Sequence, residues 1–266
     1  MADNIEDKQI GDTFITTVGS GDPLVVVHGG PGLDHSYLVH WLSPLENSRQ
    51  LVFYDQRGCG RDRTSVEDIT ALKLVDQFIE LARRLQNGHK VGVLTHSWGA
   101  YILYEALRRA EDLDLREIVM CSPVGLTRER FDQSGERLVS RIPENVLSEI
   151  EGSEKANDGV GVMRAALPYY VANPNSTPPI SFGFYDPAVF ARVVETLNTY
   201  DCRDIADRLP ASTVLIYGEA DIELPSATEE IHGRASVAMI DKAGHFPFAE
   251  QPQAFLGVVE SFLTGS

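Results

Sequence analysis

The amino-acid sequence predicts an α/β fold, with a mostly parallel sheet, helices on both faces and an inserted, mainly helical segment. Short apolar runs alternate with amphipathic helical patterns in the first part of the chain, as in sheets that helices cover on both sides. Between about Gly125 and Arg208 this alternation stops, and prolines and aromatic residues become frequent. The alternation resumes at Thr213, which indicates one sheet whose chain is interrupted by an insertion.

The predicted strands are short and apolar, as expected for strands that are buried on both faces of a parallel sheet. Residues 14–18 differ, because their alternating pattern is typical of a half-exposed strand. A turn at residues 19–23, Gly-Ser-Gly-Asp-Pro, leads into the first buried strand. In chain order, strands are expected at residues 14–18, 24–27, 51–54, 90–94, 118–121, 213–217 and 236–240.

Three helices are predicted beside these strands. The first extends from about residue 66 to 85, with apolar residues three and four positions apart on one face. The second, at residues 100–109, ends in Arg108 and Arg109, whose charges favour a helix C-terminus. The third closes the chain at residues 251–263. The expected α/β core is then residues 1–124 and 209–266, and residues 125–208 form a cap (lid) over the carboxyl ends of the strands, where open α/β sheets bind ligands.

The charge and hydropathy of the chain argue against several classes of protein. Its 266 residues include 23 Lys and Arg against 39 Asp and Glu, and this net charge of −16 disfavours binding to nucleic acid or to an anionic membrane. No apolar run approaches the roughly 20 residues that are needed to cross a bilayer. The first residues are acidic and polar, unlike a secretory signal. We expect a cytoplasmic protein that acts on a small molecule or a short peptide.

The three cysteines, Cys59, Cys121 and Cys202, are too few and too scattered for a disulfide framework or a zinc site. Reduced thiols are the simpler interpretation, and the sequence predicts no metal. Cys59 lies in a glycine-flanked loop, but no residue close to it in the chain is a suitable base.

A single serine stands between a predicted strand and a predicted helix. The segment Thr95-His96-Ser97-Trp98-Gly99 follows the strand at residues 90–94 and precedes the helix at residues 100–109. So tight a turn would hold the Ser97 hydroxyl above the sheet and beside a helix N-terminus, which is the setting of a nucleophile elbow. Thr95 stands where this motif usually has its first glycine. We expect Ser97 to be a nucleophile rather than only a helix cap.

A serine nucleophile needs a general base, and the base needs an orienting acid. His245, in a glycine-containing loop after the last predicted strand, is the best candidate for the base. Asp221, just after the strand at residues 213–217, is the best candidate for the acid. Glu219 and Glu223 lie within two residues of Asp221 and are alternatives to it. The position after the preceding strand holds no carboxylate, which favours Asp221.

A tetrahedral intermediate also needs hydrogen-bond donors for its negatively charged oxygen. The backbone N–H of Trp98 lies at a helix N-terminus and is one expected donor. Gly30 would supply the other, because the glycine-rich loop at residues 28–32 allows a close approach of the backbone. Four further polar residues are expected to position or brace these loops: His28, His96, Asp55 and Arg57.

Three motifs together resemble the proline iminopeptidase (prolyl aminopeptidase) group of the α/β-hydrolase superfamily. They are HGGPG at residues 28–32, DQRGCGR at residues 55–61 and Ser97-Trp98-Gly99. The resemblance implies an α/β-hydrolase fold, hydrolysis of an N-terminal residue or a small amide, and no cofactor. It also implies a triad of Ser97, Asp221 and His245, in the chain order known for α/β-hydrolases. Gly30 and Trp98 would form the oxyanion hole.

The predicted function is a serine hydrolase that forms an acyl-enzyme on a small amide or an N-terminal aminoacyl substrate. One alternative is an esterase, lactonase or thioesterase that acts on a small acyl substrate. Another is a non-hydrolytic protein of the same fold, such as a receptor or a cofactor-free oxygenase or lyase. A substrate with a free amine would need a carboxylate in the pocket. The cap offers candidates for it, namely Glu144, Glu149 and Glu154.

Overall fold

The computed structural model describes residues 5–86, 91–223 and 225–265. Within these ranges one eight-stranded sheet forms the centre of the molecule. Its strands are β1 (Ile5–Ile10), β2 (Thr13–Val18), β3 (Pro23–Val27), β4 (Gln50–Tyr54), β5 (Val91–His96), β6 (Leu115–Cys121), β7 (Thr213–Gly218) and β8 (Ser236–Ile240). Their order across the sheet is β1-β2-β4-β3-β5-β6-β7-β8. Lys90, where the strand predicted at residues 90–94 begins, lies outside the described residues.

The sheet is parallel except at one edge. Strands β3 to β8 pair in parallel with their neighbours. At the edge, β1 and β2 form an antiparallel hairpin, and β2 also pairs antiparallel with β4. Every predicted strand is present, so the expected mostly parallel sheet is confirmed. The sequence did not predict β1, because its side chains are mostly exposed and polar and it is held by backbone pairing with β2.

Helices cover both faces of this sheet. Those in the described part of the chain are α1 (Ser36–Leu42), α2 (Ala71–Gln86), α3 (Gly99–Arg109), α4 (Arg128–Arg141), α5 (Glu144–Lys155), α6 (Gly159–Tyr170), α7 (Pro187–Thr196), α8 (Glu229–His232), α9 (Pro247–Glu250) and α10 (Pro252–Gly265). None of them is both long and apolar enough to cross a membrane.

The helix predicted from about residue 66 begins instead at Ala71. Residues 66–68 form a short 3₁₀ turn, and the backbone of Ile69 is extended, so that its side chain is fully buried. Thr70 then caps the helix, because its Oγ1 accepts the N–H of Lys73 at 3.2 Å. The periodicity of the sequence continues through this break and therefore did not reveal it.

Apolar side chains pack on both faces of the sheet. Along β3, Val25 and Val27 belong to the cluster that contains the buried face of α2, whereas Leu24 and Val26 belong to the cluster that contains that of α10. Successive residues of a strand point to opposite faces, so a strand that is covered on both sides must be apolar throughout. This explains why the central strands appear in the sequence as continuous apolar runs.

The segment at residues 125–208, here called the insert, separates β6 from β7 and contains α4 to α7. Side chains of Thr127, Asp158 and Asp186 cap the N-termini of α4, α6 and α7. Helix α5 buries none of its side chains and therefore faces solvent. By contrast, α6 and α7 contribute Met163 and Val189 to the two apolar clusters of the core.

Candidate active site

Ser97 occupies the sharp turn between β5 and α3. Its φ is +52°, in the left-handed region that side chains other than glycine rarely adopt. Its N–H donates to the carbonyl oxygen of Cys121 at 3.0 Å, which ties the turn to the end of β6. Gly99 lets the helix start directly below, because a Cβ there would lie 2.3 Å from the carbonyl oxygen of Val27. The local sequence thus holds the Ser97 hydroxyl above the carboxyl ends of the strands.

The structure brings His245 and Asp221 to this serine from distant parts of the chain. His245 Nε2 lies 2.9 Å from Ser97 Oγ, and His245 Nδ1 lies 2.8 Å from Asp221 Oδ1. The three residues are between 3% and 9% exposed. In this geometry the imidazole can accept the proton of the Ser97 hydroxyl while its Nδ1–H donates to the carboxylate. This is the arrangement that a general base requires.

The two alternative acids point elsewhere. Glu219 is exposed, and its Oε2 accepts the N–H of Lys242 at 3.3 Å. The Glu223 carboxyl lies against Ser134, while its backbone N–H donates to Asp221 Oδ1 at 3.0 Å. Of the three carboxylates, Asp221 is therefore the one in contact with His245.

The backbone of His245 is fixed on both sides. Its N–H donates to the carbonyl oxygen of Tyr170 at the end of α6, at 2.9 Å. Its carbonyl oxygen accepts the Nε2–H of His96 at 2.9 Å. The insert and the residue before Ser97 therefore both help to position the candidate base.

Glu250 holds the loop that carries His245. One carboxylate oxygen accepts the N–H groups of Gly244 and Phe246 at 2.8 and 3.1 Å. The other accepts the N–H of Ala172, in the insert, at 2.7 Å. One side chain on α9 thus joins the His245 loop to the insert, and no feature of the local sequence predicted this contact.

His96 and Tyr37 connect the serine turn to the glycine-rich loop. Burial lowers the pKa of His96 well below its usual value, so the ring is neutral. Because Nε2–H donates to the His245 carbonyl, Nδ1 must accept, and it lies 2.7 Å from Tyr37 Oη. Tyr37 Oη in turn accepts the N–H of Gly29 at 2.8 Å. The prediction that His96 positions its loop is confirmed, whereas the part played by Tyr37 was not predicted.

Gln56 also helps to hold the glycine-rich loop in place. Its Nε2–H donates to the carbonyl oxygen of His28 at 2.8 Å, and its Oε1 accepts the indole N–H of Trp98 at 3.2 Å. Burial lowers the pKa of His28 to about 4, and the neutral ring donates from Nδ1 to the carbonyl oxygen of Gly29 at 2.8 Å. His28 therefore positions the loop, as predicted, but the bracing contact of the DQRGCGR motif comes from Gln56.

Gly30 and Trp98 are the residues that the sequence offers for the oxyanion hole. Gly30 has a φ of +128°, and it lines the cavity together with Ser97 and His245. Trp98 immediately precedes the first residue of α3, where backbone N–H groups have no partner within the helix. Both residues therefore lie close to Ser97, one in the lining of the same cavity and the other next to it in the chain.

A cavity of about 560 Å³ opens above Ser97 between the core and the insert. Phe131 and Phe190 of the insert line it together with Ser97, His245 and Glu223. The three glutamates that the sequence offered for binding an amine, Glu144, Glu149 and Glu154, are exposed and do not line this cavity. The structure therefore does not bring them to the site.

The cysteine thiols are poorly suited to chemistry of their own. All three are buried, and burial raises the pKa of the Cys59 and Cys121 thiols well above the usual value. Low thiolate content makes such cysteines unreactive. Across residues 5–86, 91–223 and 225–265, no group of three or more His, Cys, Asp or Glu side chains is placed to hold a metal ion.

The chain is similar in sequence and in fold to several known proteins. The model of the alpha/beta hydrolase family matches residues 24–258. A proline iminopeptidase of Heyndrickxia coagulans is 26% identical over 269 residues, which cover 92% of this chain and 91% of that relative. The solved structure of VinJ has a TM-score of 0.75 at 20% identity and covers 100% of this chain and 99% of its own. A thermophilic esterase from Thermogutta terrifontis has a TM-score of 0.69 at 20% identity, with 95% of this chain and 93% of its own covered.

Proposed function

Because this chain belongs to the alpha/beta hydrolase family and is a hydrolase, we propose that it is a serine hydrolase with Ser97 as nucleophile, His245 as base and Asp221 as acid. One observation carries the proposal. The Ser97 hydroxyl, the His245 imidazole and the Asp221 carboxylate form a continuous hydrogen-bonded series, and Ser97 and His245 line a cavity. A family match alone would leave open which residues react.

The proposed reaction proceeds through an acyl-enzyme. His245 Nε2 takes the proton of Ser97 as Oγ attacks the substrate carbonyl carbon, and the carbonyl oxygen becomes an oxyanion. The N–H groups of Gly30 and Trp98 donate to that oxygen. The tetrahedral intermediate collapses as His245 protonates the leaving amine. A water molecule then attacks the acyl-enzyme with His245 again as base, and the second intermediate releases the acid as His245 returns the proton to Ser97 Oγ. Asp221 holds the imidazole in the required tautomer throughout.

We propose that the substrate is a small amide or an N-terminal aminoacyl compound. The proline iminopeptidase of H. coagulans supports this class, because it is similar over most of both chains. We further propose that residues 125–208 act as a cap on a core of residues 1–124 and 209–266. The side chains of Phe131 and Phe190 in the cavity wall support that division, since they would contact a bound substrate.

The test is covalent labelling with a fluorophosphonate, which reacts with activated serines. We expect the wild-type protein to be labelled on Ser97, and Ser97→Ala to lose both the label and amidase or esterase turnover, with kcat lower by at least about 10⁴-fold. Ser236→Ala, which changes an exposed serine of β8, is the matched control and should leave both unchanged. A folded wild-type protein that takes up no label on Ser97 would refute the proposed nucleophile.

A further inference from the structure

The loop that carries Asp221 is held to the core by backbone hydrogen bonds on one side of that residue. The N–H groups of Glu219 and Ala220 donate to carbonyl oxygens in β8 and in the loop after it, at 3.0 and 2.9 Å. The N–H of Asp221 donates to the carbonyl oxygen of Gly218 at 3.2 Å. These bonds fix the chain up to Asp221, so the backbone that follows it depends on other contacts.

The carboxylate of Asp221 is held through one of its two oxygens. Oδ1 accepts the Nδ1–H of His245 at 2.8 Å and the N–H of Glu223 at 3.0 Å. Oδ2 is buried and has no hydrogen-bond partner among the described residues. The direction of the carboxylate therefore depends on where the backbone lies on both sides of Asp221.

Helix α4 of the insert contacts that backbone directly before and after Asp221. The Nε–H of Arg137 donates to the carbonyl oxygen of Ile222 at 2.7 Å. An Nη1–H of Arg141 donates to the carbonyl oxygen of Ala220 at 3.2 Å. The two peptide groups that flank the candidate acid are thus both bound by arginines of the insert.

Arg137 is the central residue of this contact. Ser134, Arg137 and Arg141 are three and four positions apart, so they share one face of α4. Arg141 is exposed, whereas Arg137 is half-buried and also donates from Nη2 to Ser134 Oγ at 2.8 Å. Ser134 Oγ in turn lies 2.5 Å from Glu223 Oε2. The planar guanidinium can hold these two acceptors in a fixed relation, which a lysine could not do.

The contacts of the insert converge on the loops of the candidate triad. A contact that only attached the insert to the core could lie anywhere along their interface. Arg137 instead makes both of its hydrogen bonds to uncharged groups, and one of them is the peptide group after Asp221. At the end of α6, the carbonyl oxygen of Tyr170 accepts the N–H of His245 at 2.9 Å. The insert therefore contacts the loop of the acid and the loop of the base.

We propose that Arg137 is a positioning residue for Asp221, so that the insert completes the catalytic machinery as well as covering it. By fixing the carbonyl group of Ile222, Arg137 keeps Asp221 Oδ1 in line with His245 Nδ1–H. This inference rests on the proposed function, because Asp221 acts as the acid only if Ser97 is the nucleophile. Arg137 does not line the cavity above Ser97 and acts through Asp221.

The first test is Arg137→Met, which removes the guanidinium and keeps most of the length of the side chain. The measurements are hydrolysis of p-nitrophenyl acetate and the rate of fluorophosphonate labelling of Ser97. We expect kcat and the labelling rate to fall about 10- to 100-fold, as for other small misplacements of a catalytic group. KM should change less than about threefold, because His245 is the base in both acylation and deacylation. Arg164→Met, at an exposed arginine of α6, is the matched control and should leave both rates unchanged.

A double-mutant cycle separates positioning from general support of the fold. If Arg137 acts through the Asp221 carboxylate, Arg137→Met should slow the labelling of Ser97 no further once Asp221→Asn has been made. Labelling at high reagent concentration, with Ser97→Ala as the blank, measures these slow rates. A loss by the same factor in both backgrounds would overturn the inference, because it would show that Arg137 acts independently of Asp221.

Arg137→Lys covers the case in which Arg137→Met does not fold, and urea unfolding reports whether each variant is folded. Lysine keeps the positive charge and one donor but lacks the planar fork. We expect its labelling rate to be about three- to tenfold below that of the wild-type protein. A wild-type rate in either folded variant would refute the positioning role and leave Ser97 as the nucleophile. A wild-type protein that takes up no label would instead contradict the proposed function.

Discussion

At the scale of single residues, the site depends on a network of buried hydrogen bonds. Tyr37 Oη joins two of them, the N–H of Gly29 and Nδ1 of His96, and so links the glycine-rich loop to the residue before Ser97. His96 also donates a hydrogen bond to the carbonyl oxygen of His245, so the same network fixes the backbone of His245. Such networks rigidify a site because leaving any member unpaired is costly.

Tyr37→Phe should therefore weaken both activity and stability. The substitution leaves a buried N–H and a buried imidazole nitrogen unpaired, at a cost of about 1–3 kcal/mol for each. We expect kcat to fall roughly tenfold, since a misplacement of the base by a fraction of an ångström is already harmful. Urea unfolding and steady-state kinetics measure the two effects.

Tyr54→Phe is the matched control for Tyr37→Phe. Tyr54 is also fully buried, but its hydroxyl has no hydrogen-bond partner among the described residues. Its removal should leave activity intact and should not lower the free energy of unfolding. A Tyr37→Phe protein that behaves like Tyr54→Phe would mean that the Tyr37 hydroxyl does not position the site.

At the scale of secondary-structure elements, the close approach of α3 to β3 decides where Ser97 lies. The helix begins at Gly99, where a Cβ would come within 2.3 Å of the Val27 carbonyl oxygen and 3.0 Å of that of His28. Backbone atoms cannot move aside as a side chain can. The glycine after the serine therefore fixes the distance between the nucleophile and the glycine-rich loop.

Gly99→Ala should push α3 away from β3. We expect a loss of about 2–4 kcal/mol in unfolding free energy, as for other overpacked cores, together with a large loss of fluorophosphonate labelling. Gly152→Ala supplies the control, because Gly152 lies in α5 with no atom within 4 Å of the added Cβ. There alanine should stabilise the helix by about 0.5–1 kcal/mol. Equal stability changes at the two sites would contradict the steric argument.

At the scale of the whole molecule, the order of the strands in the sheet brings the candidate residues together at one edge. Ser97, Asp221 and His245 follow β5, β7 and β8, and the glycine-rich loop follows β3. Because β3 to β8 are parallel, these loops all leave the same edge of the sheet. Contacts such as that between Ser97 and His245, 148 residues apart, depend on this arrangement.

Asp55 links several parts of the molecule and gives it a pH-dependent stability. It lies at the end of β4, and its carboxylate contacts His35 Nδ1 and Arg61 Nε, both at 2.6 Å. Burial alone would raise the pKa of Asp55, but these two partners outweigh it and lower the pKa to about 2. Arg61 also reaches Asp7 in β1, so the cluster fastens the edge hairpin to the sheet.

Asp55→Asn should destabilise the protein by about 2–4 kcal/mol at pH 7, because a buried charge pair loses one partner. The pKa of this carboxyl is about 3.9 in the unfolded chain and about 2 in the folded one. The ionised Asp55 carboxylate therefore contributes its full stabilisation above about pH 4, and this stabilisation is lost as pH falls through 2. Urea unfolding between pH 2 and 7 checks this. The difference in unfolding free energy between Asp55→Asn and the wild-type protein should shrink as pH falls from about 4 to 2.

Asp12→Asn is the matched control for Asp55→Asn at low pH. It makes the same chemical change at an exposed position in the turn between β1 and β2. It should leave the free energy of unfolding unchanged across the same pH range. If the destabilisation by Asp55→Asn persisted undiminished at pH 2, the ionised carboxylate would not be the source of the stability.

The sequence by itself determined seven of the eight strands of the sheet and three candidate residues with their chemistry. Apolar runs, a serine at a strand-to-helix turn and an acid and a histidine after later strands are local patterns, and local patterns are readable in one sequence. Which of three nearby carboxylates faces His245 was left open, because a shift of one residue in a loop changes the direction of a side chain.

Only the tertiary structure decided the contacts that join distant segments. Tyr37, Gln56 and Glu250 act on loops that are remote in the chain, and nothing in their neighbouring residues marks them. Likewise Glu223 lies in the cavity wall whereas the glutamates of α5 face solvent, although all are acidic residues in polar segments. Burial depends on what surrounds a group in space, and the order of strands in the sheet determines those surroundings.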